Sequence, residues 1–279
     1  MTTDPAITAH YAQANLAEKI LTALNATGKN MHRLVHDDLA AADEFHIGGR
    51  VATHHLMTYL QWHAEMHVLD VGSGLGGAAR FVAENTRCRV TGLDLIPDYC
   101  AAAASLTVAT GLQQYIIYKQ GDATAMPFAA EEFDGAYSIH TAMNIADKAT
   151  LYSEIAKVLK PGAFFGLFDV LRGRNEAAPS FPVPWANAPE TSFLATLEDM
   201  RRYLGEAGFE ILVEDDMGGF ALKSLKKLQE ANPIFGPRIV IGENYDEKIA
   251  NLVRNIESKR CAPWVIICRK RKTWEDQQR

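Results

Sequence analysis

A glycine-rich turn follows an apolar run near residue 70. The segment VLDVGSGLGG, residues 68–77, carries Gly72, Gly74 and Gly77 at the spacing G-x-G-x-x-G. Glycine lets the backbone turn tightly and approach a ligand, and the start of the helix that follows offers free N–H groups. The segment therefore predicts a nucleotide-cofactor loop. Because the same spacing occurs in nicotinamide enzymes, the loop alone leaves the cofactor open.

Further polar residues occur where later strands are predicted to end. Asp94 closes the run RVTGLDL and lies 24 residues after Asp70, well placed to accept hydrogen bonds from ribose hydroxyls. The third strand candidate, YIIYKQ, is followed by Gly121-Asp122-Ala123. After it come FDGAYSIH, residues 133–140, and Lys160-Pro161-Gly162 before a fifth apolar run.

Together these elements, in this order, resemble class I S-adenosylmethionine-dependent methyltransferases over roughly residues 66–170. The resemblance implies S-adenosylmethionine as cofactor, S-adenosylhomocysteine as product, and an α/β fold with a Rossmann-like seven-stranded sheet. The resemblance also implies roles for single residues. Asp70 would be the acidic residue of the first motif, and Gly72, Ser73 and Gly74 the loop beside the methionine moiety. Asp94 and Leu95 would contact the ribose and adenine, Asp122 and Ala123 the adenine edge, and Ile139 would add a contact from the fourth strand.

The layout of the whole chain resembles the bacterial group that contains sarcosine and dimethylglycine methyltransferases and several sugar O-methyltransferases. That resemblance implies a helical N-terminal cap at residues 1–65 and a methyltransferase domain at 66–279. Within that domain we expect a proline-rich loop at 173–190 and a helical lid insertion at 219–260, which together with the cap would enclose a small-molecule acceptor.

One departure from that group concerns the base. Many O-methylating relatives have His-His-x-x-Asp after the fourth strand, whereas counting back from Asp147 places Met143 and Asn144 at the histidine positions. A neutral amine needs no strong base, while a hydroxyl or carbon nucleophile usually does. We therefore expect methylation of an amine nitrogen, as in the sarcosine and dimethylglycine enzymes, with O- or C-methylation as the alternative.

Three residues are catalytic candidates. His140 lies at the predicted end of the fourth strand, where open α/β sheets place their ligands. His46, in the stretch DEFHIGG at residues 43–49, precedes a predicted helix, and Tyr11 offers a hydroxyl from the cap. His54, His55 and His63 lack an accompanying carboxylate or cysteine pattern, so no metal is expected.

The elements that position these residues follow from hydrophobic periodicity. Apolar residues at helical spacing predict helices near residues 16–24, 51–60, 151–159, 194–204, 222–228 and 249–256. Short apolar runs between them predict a sheet built from βα units, ending in EILVEDD and WVIICRK. Residues 219–260 would place two helices before the last strand.

Composition restricts the partners. The chain has 279 residues, a net charge of −6 and 48% hydrophobic residues, which suits a globular protein and disfavours nucleic acid or anionic lipid. Four cysteines without paired spacing, the lack of a signal-type N-terminus and the lack of a ~20-residue apolar stretch predict a cytoplasmic protein without a membrane anchor. A homodimer is left open.

Two other function classes stay open on the sequence. The glycine loop also fits a nicotinamide-dependent oxidoreductase, although the Gly-Asp-Ala and Pro-Gly elements oppose it. Because a fold does not guarantee activity, a non-catalytic cofactor-binding protein is the other alternative.

Overall fold

The computed structural model describes residues 8, 10, 11 and 13–272. Three helices come first: α1 (Leu16–Asn25), α2 (His36–Asp43) and α3 (Gly49–Thr58). The part of the predicted cap at residues 1–7, 9 and 12 lies outside the described residues. Helices α1 and α3 occur where periodicity predicted them, whereas α2 was not predicted. Val51 was placed on the apolar stripe of α3 by periodicity, but its side chain is exposed.

The remaining chain alternates strands and helices. The strands are β1 (His67–Val71), β2 (Arg89–Asp94), β3 (Ile116–Gln120), β4 (Phe133–Ile139), β5 (Leu159–Arg172), β6 (Phe209–Asp216) and β7 (Cys261–Lys270). The helices are α4 (Gly77–Thr86), α5 (Pro97–Ala109), α6 (Lys148–Val158), α7 (Leu197–Glu206), α8 (Gly218–Ala231), α9 (Arg238–Ile241) and α10 (Tyr245–Glu257). Helices α8 to α10 form the insertion predicted before the last strand.

The strands form one seven-stranded sheet in the order β3-β2-β1-β4-β5-β7-β6. Strand β1 pairs in parallel with β2 on one side and β4 on the other, and β7 is antiparallel to β5 and β6. The strand order reverses between β1 and β4: β2 and β3 were added on one side of β1, and β4 and β5 on the other. Open α/β sheets place their ligands at this point. The predicted seven-stranded Rossmann-like fold is confirmed.

Strand β5 begins earlier than predicted. The sequence indicated a helix stop at Lys160-Pro161-Gly162, but α6 ends at Val158 and the strand takes over at Leu159. Leu159 pairs with Phe133 before a register shift, so the proline and glycine occupy an irregular part of the β4–β5 ladder.

A buried ion pair joins the N-terminal helices to the sheet domain. The Arg80 side chain on α4 is fully buried, and one of its nitrogens lies 2.5 Å from Asp43 Oδ2, at the end of α2. The same guanidinium donates to the Leu75 carbonyl at 2.7 Å and to Thr107 Oγ1 at 3.0 Å. Burial alone would lower the pKa of Arg80, but Asp43 raises it above its usual value. Arg80 therefore remains charged and cross-links α2, α4 and α5.

We expect Arg80→Met to lower the free energy of unfolding by about 3–5 kcal/mol, because it leaves the Asp43 carboxylate buried without a partner. Urea denaturation measures the change. The double variant Arg80→Met/Asp43→Leu should recover part of it. Arg87→Met, which removes a half-exposed arginine at the end of the same helix, should cost less than about 1 kcal/mol. Equal effects of the two single variants would contradict the role of the pair.

Candidate active site

One cavity of about 1040 Å³ lies at the carboxyl ends of β1, β2 and β4. It is lined by every site residue that the sequence singled out: Tyr11, His46, Asp70, Gly72, Ser73, Gly74, Asp94, Leu95, Asp122, Ala123, Ile139 and His140. Small-molecule sites typically measure ~300–1,000 Å³, so the space suits a cofactor together with a second small molecule. The fold thus brings together residues that lie up to 129 positions apart in the chain.

The glycine loop is shaped by backbone conformations that favour glycine. Gly72 and Gly74 have φ values of +75° and +52°. A Cβ on Gly72 would overlap the side chain of Thr141, whereas a Cβ on Gly74 would meet only Phe45 at 3.8 Å. Gly72 is therefore required by packing inside the protein, while Gly74 keeps open space on the cavity side of the loop.

Asp94 holds the loop in place. Its Oδ2 accepts the Gly74 N–H at 2.7 Å and its Oδ1 accepts the Ile96 N–H at 2.9 Å. Burial raises the pKa of this carboxyl, and these backbone donors oppose the rise. Asp94 is thus a structural support of the loop as well as a cavity residue, and each of its oxygens keeps a second lone pair for a ligand hydroxyl.

Ser73 Oγ is a buried polar atom of the loop region that has no hydrogen-bond partner among the described residues, and Ser73 lines the cavity. Burial raises the pKa of the nearby Asp70 to about 8, and the neighbouring Tyr137 hydroxyl opposes the rise. A buried polar atom without a partner costs about 1–3 kcal/mol, so a polar ligand that reached Ser73 Oγ would gain that amount.

Asp122 lies at the adjacent wall, after β3. Its Oδ1 accepts the Thr124 N–H at 2.8 Å and the Thr124 hydroxyl at 2.7 Å. These bonds close a turn that presents Ala123 and Asp122 to the cavity.

His140 lies at the boundary between the loop and the rest of the cavity. It has φ +53°, in the left-handed region, and its backbone N–H donates to the Phe168 carbonyl at 2.8 Å. Such a conformation costs about 1–3 kcal/mol in a non-glycine residue and is common at functional sites. The ring packs 4.8 Å from Phe168 and 5.8 Å from His46, between centroids. Its Nε2 has no hydrogen-bond partner among the described residues.

His46 differs from His140 because its ring is already hydrogen-bonded. His46 Nε2 lies 3.1 Å from the Gly49 carbonyl and 3.1 Å from Thr53 Oγ1, and the Thr53 hydroxyl in turn donates to Glu44. Burial lowers the pKa of His46 to about 4 and that of His140 well below 6.5. Both rings are neutral at pH 7, but His46 fixes its own loop while His140 keeps an uncommitted nitrogen.

Tyr11 connects the N-terminal segment to the site. Its hydroxyl donates to Asn144 Oδ1 at 2.9 Å, and Asn144 Nδ2 donates to the carbonyls of Trp185 and Thr191. Burial raises the pKa of Tyr11 well above 10, so the hydroxyl stays protonated. The Asn144 side chain, at one of the positions where many O-methylating relatives have a histidine, uses both its oxygen and its nitrogen in these bonds. It links three segments of the chain.

Sequence reasoning missed Asp169 and Lys148, which lie beneath the turn after β4. The buried Asp169 accepts the Val170 N–H, and burial raises its pKa to about 7. Lys148 Nζ donates to the carbonyls of Ala142, Ile145 and Phe193, and burial lowers its pKa to about 8. No sequence motif marks these residues, because their partners are backbone groups, which are the same for every residue type.

For the wall of the cavity opposite the glycine loop, the sequence predicted the segments that form it but not the residues that line it. It consists of apolar residues from the turn after β4, the proline-rich loop and the residues just after it, and helices α8 to α10 with the link between α8 and α9: Met143, Trp185, Phe193, Phe220, Leu225, Leu228, Phe235, Ile241, Ile249 and Leu252. Among residues 13–272 no group of three or more metal-ligating side chains is found, and no helix there is long and apolar enough to cross a bilayer.

Comparison with known proteins identifies the central segment. Residues 69–167 match the family model described as a methyltransferase domain, so the resemblance found in the sequence is confirmed for this segment. The chain is 31% identical to the methyltransferase phqN of Penicillium fellutanum over 170 residues, which are 59% of this chain and 52% of that protein. It thus spans about half the length of that curated relative, and less of several others.

Solved structures extend the likeness to most of the fold. Geranyl diphosphate C-methyltransferase of Streptomyces coelicolor aligns with a TM-score of 0.71 at 14% identity, covering 95% of this chain and 96% of that one. A provisionally assigned sarcosine dimethylglycine methyltransferase of Galdieria sulphuraria aligns with a TM-score of 0.63 at 18% identity, covering 80% and 84%. At these identities the likeness shows the fold.

We expect Gly74→Val to abolish detectable S-adenosylhomocysteine binding, because the new side chain would extend into the cavity. Isothermal titration calorimetry measures the affinity. Gly111→Val is the matched control: Gly111 has φ +71° and open space around it but does not line the cavity. It should incur a similar backbone strain and leave the affinity unchanged. Normal binding by Gly74→Val would show that the ligand does not lie on this loop.

Proposed function

We propose that this chain transfers a methyl group from S-adenosylmethionine to a small-molecule acceptor held in the same cavity. The observation that carries the proposal is the convergence, in one cavity, of the glycine loop after β1, Asp94 at the end of β2 and Asp122 after β3. The methyltransferase-domain match at residues 69–167 covers all three.

The residues present fit this cofactor. Asp70 and Ser73 line the cavity, Ser73 Oγ is a buried polar atom without a partner among the described residues, and the cofactor's amino acid moiety has both donors and acceptors. Gly72 and Gly74 would border that moiety, Asp94 and Leu95 would contact the ribose and adenine, and Asp122, Ala123 and Ile139 would surround the adenine ring. When bound, the cofactor supplies a methyl carbon activated by the positive charge on sulfur.

The protein's own contribution is positioning and the removal of water. Methyl transfer needs the nucleophile and the methyl carbon in line, and an enclosed site supplies that alignment while excluding solvent. We propose that the N-terminal helices, the proline-rich loop and helices α8 to α10 act as the cap and lid predicted from the sequence. Support comes from Tyr11, Trp185 and Leu225, which bring one residue from each of these parts to the cavity.

His140 is the residue we propose to receive the acceptor's proton. The nucleophile's proton becomes acidic as its bond to the methyl carbon forms, so a neutral imidazole suffices to accept it. His140 is neutral, lines the cavity and has an unpartnered nitrogen, whereas Tyr11 is held by Asn144 and His46 by Gly49. We retain an amine nitrogen as the proposed acceptor atom, with O- or C-methylation as the alternative.

Cofactor choice is tested by calorimetric titration of the protein with S-adenosylmethionine and with NADH. We expect S-adenosylmethionine to bind and NADH to bind at least 100-fold more weakly. Asp94→Ala should weaken S-adenosylmethionine binding by about ten-fold or more, because a buried hydrogen bond worth about 1–3 kcal/mol is lost. Asp98→Ala, an exposed aspartate four residues later, should leave it unchanged. Preferential NADH binding would contradict the proposal.

The proton acceptor is tested by the rate of S-adenosylhomocysteine formation with any acceptor found in a metabolite screen. We expect His140→Ala to lower kcat by about 10²–10⁴-fold at pH 7 while S-adenosylhomocysteine affinity stays within about three-fold. His140→Gln, which accepts a hydrogen bond but not a proton, should not restore the rate. His54→Ala, an exposed histidine outside the cavity, is the control. Full activity of His140→Gln would reduce His140 to a positioning residue.

The pH profile gives an independent check on His140. Because burial lowers its pKa well below 6.5, the ring is neutral from pH 6.5 upward and is protonated only as the pH falls through that lowered value. We therefore expect no loss of kcat from His140 between pH 8 and pH 6.5. A limb with a midpoint near pH 6.5 that disappears in His140→Gln would contradict its neutral state.

A further inference from the structure

The part of the cavity beyond the glycine loop has an apolar surface. Its wall combines aromatic and aliphatic side chains from the proline-rich loop, α8 and α10, with Pro184, Trp185, Phe220, Leu225 and Leu252 as examples. Ligand pockets of this type bind through apolar area and use a few polar groups for orientation. The wall thus favours an acceptor with an apolar body.

Three polar side chains at this wall are bonded within the protein. Trp185 Nε1 donates to Ser192 Oγ at 2.9 Å, and the Tyr11 hydroxyl donates to Asn144. Both amide hydrogens of Asn144 are directed at backbone carbonyls, one of them that of Trp185. A ligand that relied on hydrogen bonds to these groups would have to break them. The polar groups left for a ligand on this side are the buried Nε2 of His140 and the hydroxyl of Ser224 on α8.

Among the described residues, three cationic side chains line the cavity, and none of them is both buried and unpaired. They are Arg50, Lys223 and Lys227. Arg50 is paired with Glu44 and Asp37, and the two lysines are exposed, one turn apart on α8. Burying a carboxylate without a partner costs several kcal/mol, so an amino acid such as sarcosine would lose its hydration here without compensation.

We propose that the acceptor is a predominantly apolar molecule, larger than an amino acid, whose body fills the space between the proline-rich loop, α8 and α10. Its nucleophilic atom would face His140, the imidazole at the boundary with the cofactor region. This inference rests on the proposed methyl transfer and replaces the sarcosine-like acceptor that the sequence suggested. It places any charged substituent of the acceptor at the cavity mouth, beside Lys223 and Lys227.

The test uses N-phenyl-1-naphthylamine, an uncharged aromatic amine that fluoresces in apolar surroundings. Titrated into protein saturated with S-adenosylhomocysteine, it should bind saturably at one site. Leu228→Asp should weaken probe binding by ten-fold or more, because it places a charge on the cavity wall. Leu222→Asp is the matched control: the same change, on the same helix, at a half-buried leucine that does not line the cavity. It should leave probe affinity within about two-fold.

S-adenosylhomocysteine affinity, measured by calorimetry on both variants, shows whether they fold and bind cofactor normally. Phe235→Ala, a milder change on the same wall, gives a second reading if Leu228→Asp is unstable, and should weaken the probe by at least three-fold. Displacement of the probe by millimolar sarcosine or dimethylglycine would overturn the inference. So would equal effects of Leu228→Asp and Leu222→Asp, or the lack of saturable probe binding to cofactor-loaded protein. Failure to bind S-adenosylhomocysteine would instead overturn the proposed function.

Discussion

The buried Arg80–Asp43 pair is the interaction on which the site depends most. Arg80 projects from the helix that follows the glycine loop, donates to the Leu75 carbonyl within that loop, and is neutralised by Asp43 from the N-terminal helices. A buried guanidinium is stabilised by a paired carboxylate and by hydrogen bonds from its donors. Arg80 donates to Asp43, to Thr107 and to the carbonyls of Leu75 and Ala103, while its Nε has no partner among the described residues. The pair thus couples the glycine loop to the N-terminal helices.

From this anchor the cavity changes character along its length. At the ends of β1 to β3 the surface consists of backbone groups and acidic side chains, with Asp70, Asp94 and Asp122 within one wall. Beyond His140 the wall is apolar. The apolar region keeps water from the reacting atoms, which strengthens electrostatic interactions there. The strained backbone of His140 marks the transition between the two regions.

The sequence allowed the cofactor half to be predicted because its signals are local. The glycine spacing, the strand pattern before Asp70 and the Gly121-Asp122-Ala123 turn each lie within about ten residues. Helix α2 was missed because its sequence, HDDLAAAD, has little amphipathic pattern, and its position depends on Asp43 reaching Arg80. The roles of Lys148 and Asp169 were also missed, since each bonds to backbone groups, which carry no sequence signal.

The apolar wall beyond His140 differs from the cofactor region, because most of its residues come from parts of the chain outside the segment that matches the methyltransferase-domain model. Trp185, Phe220 and Leu252 all follow residue 167, while the matched segment ends there. Likeness to other methyltransferases therefore bears on how the methyl donor is held and says little about what receives the methyl group. That choice lies in the volume, apolarity and charge of a wall assembled from the proline-rich loop and helices α8 to α10. A change in these segments would therefore alter the acceptor wall of this protein while the Arg80–Asp43 pair and the glycine loop stay as they are.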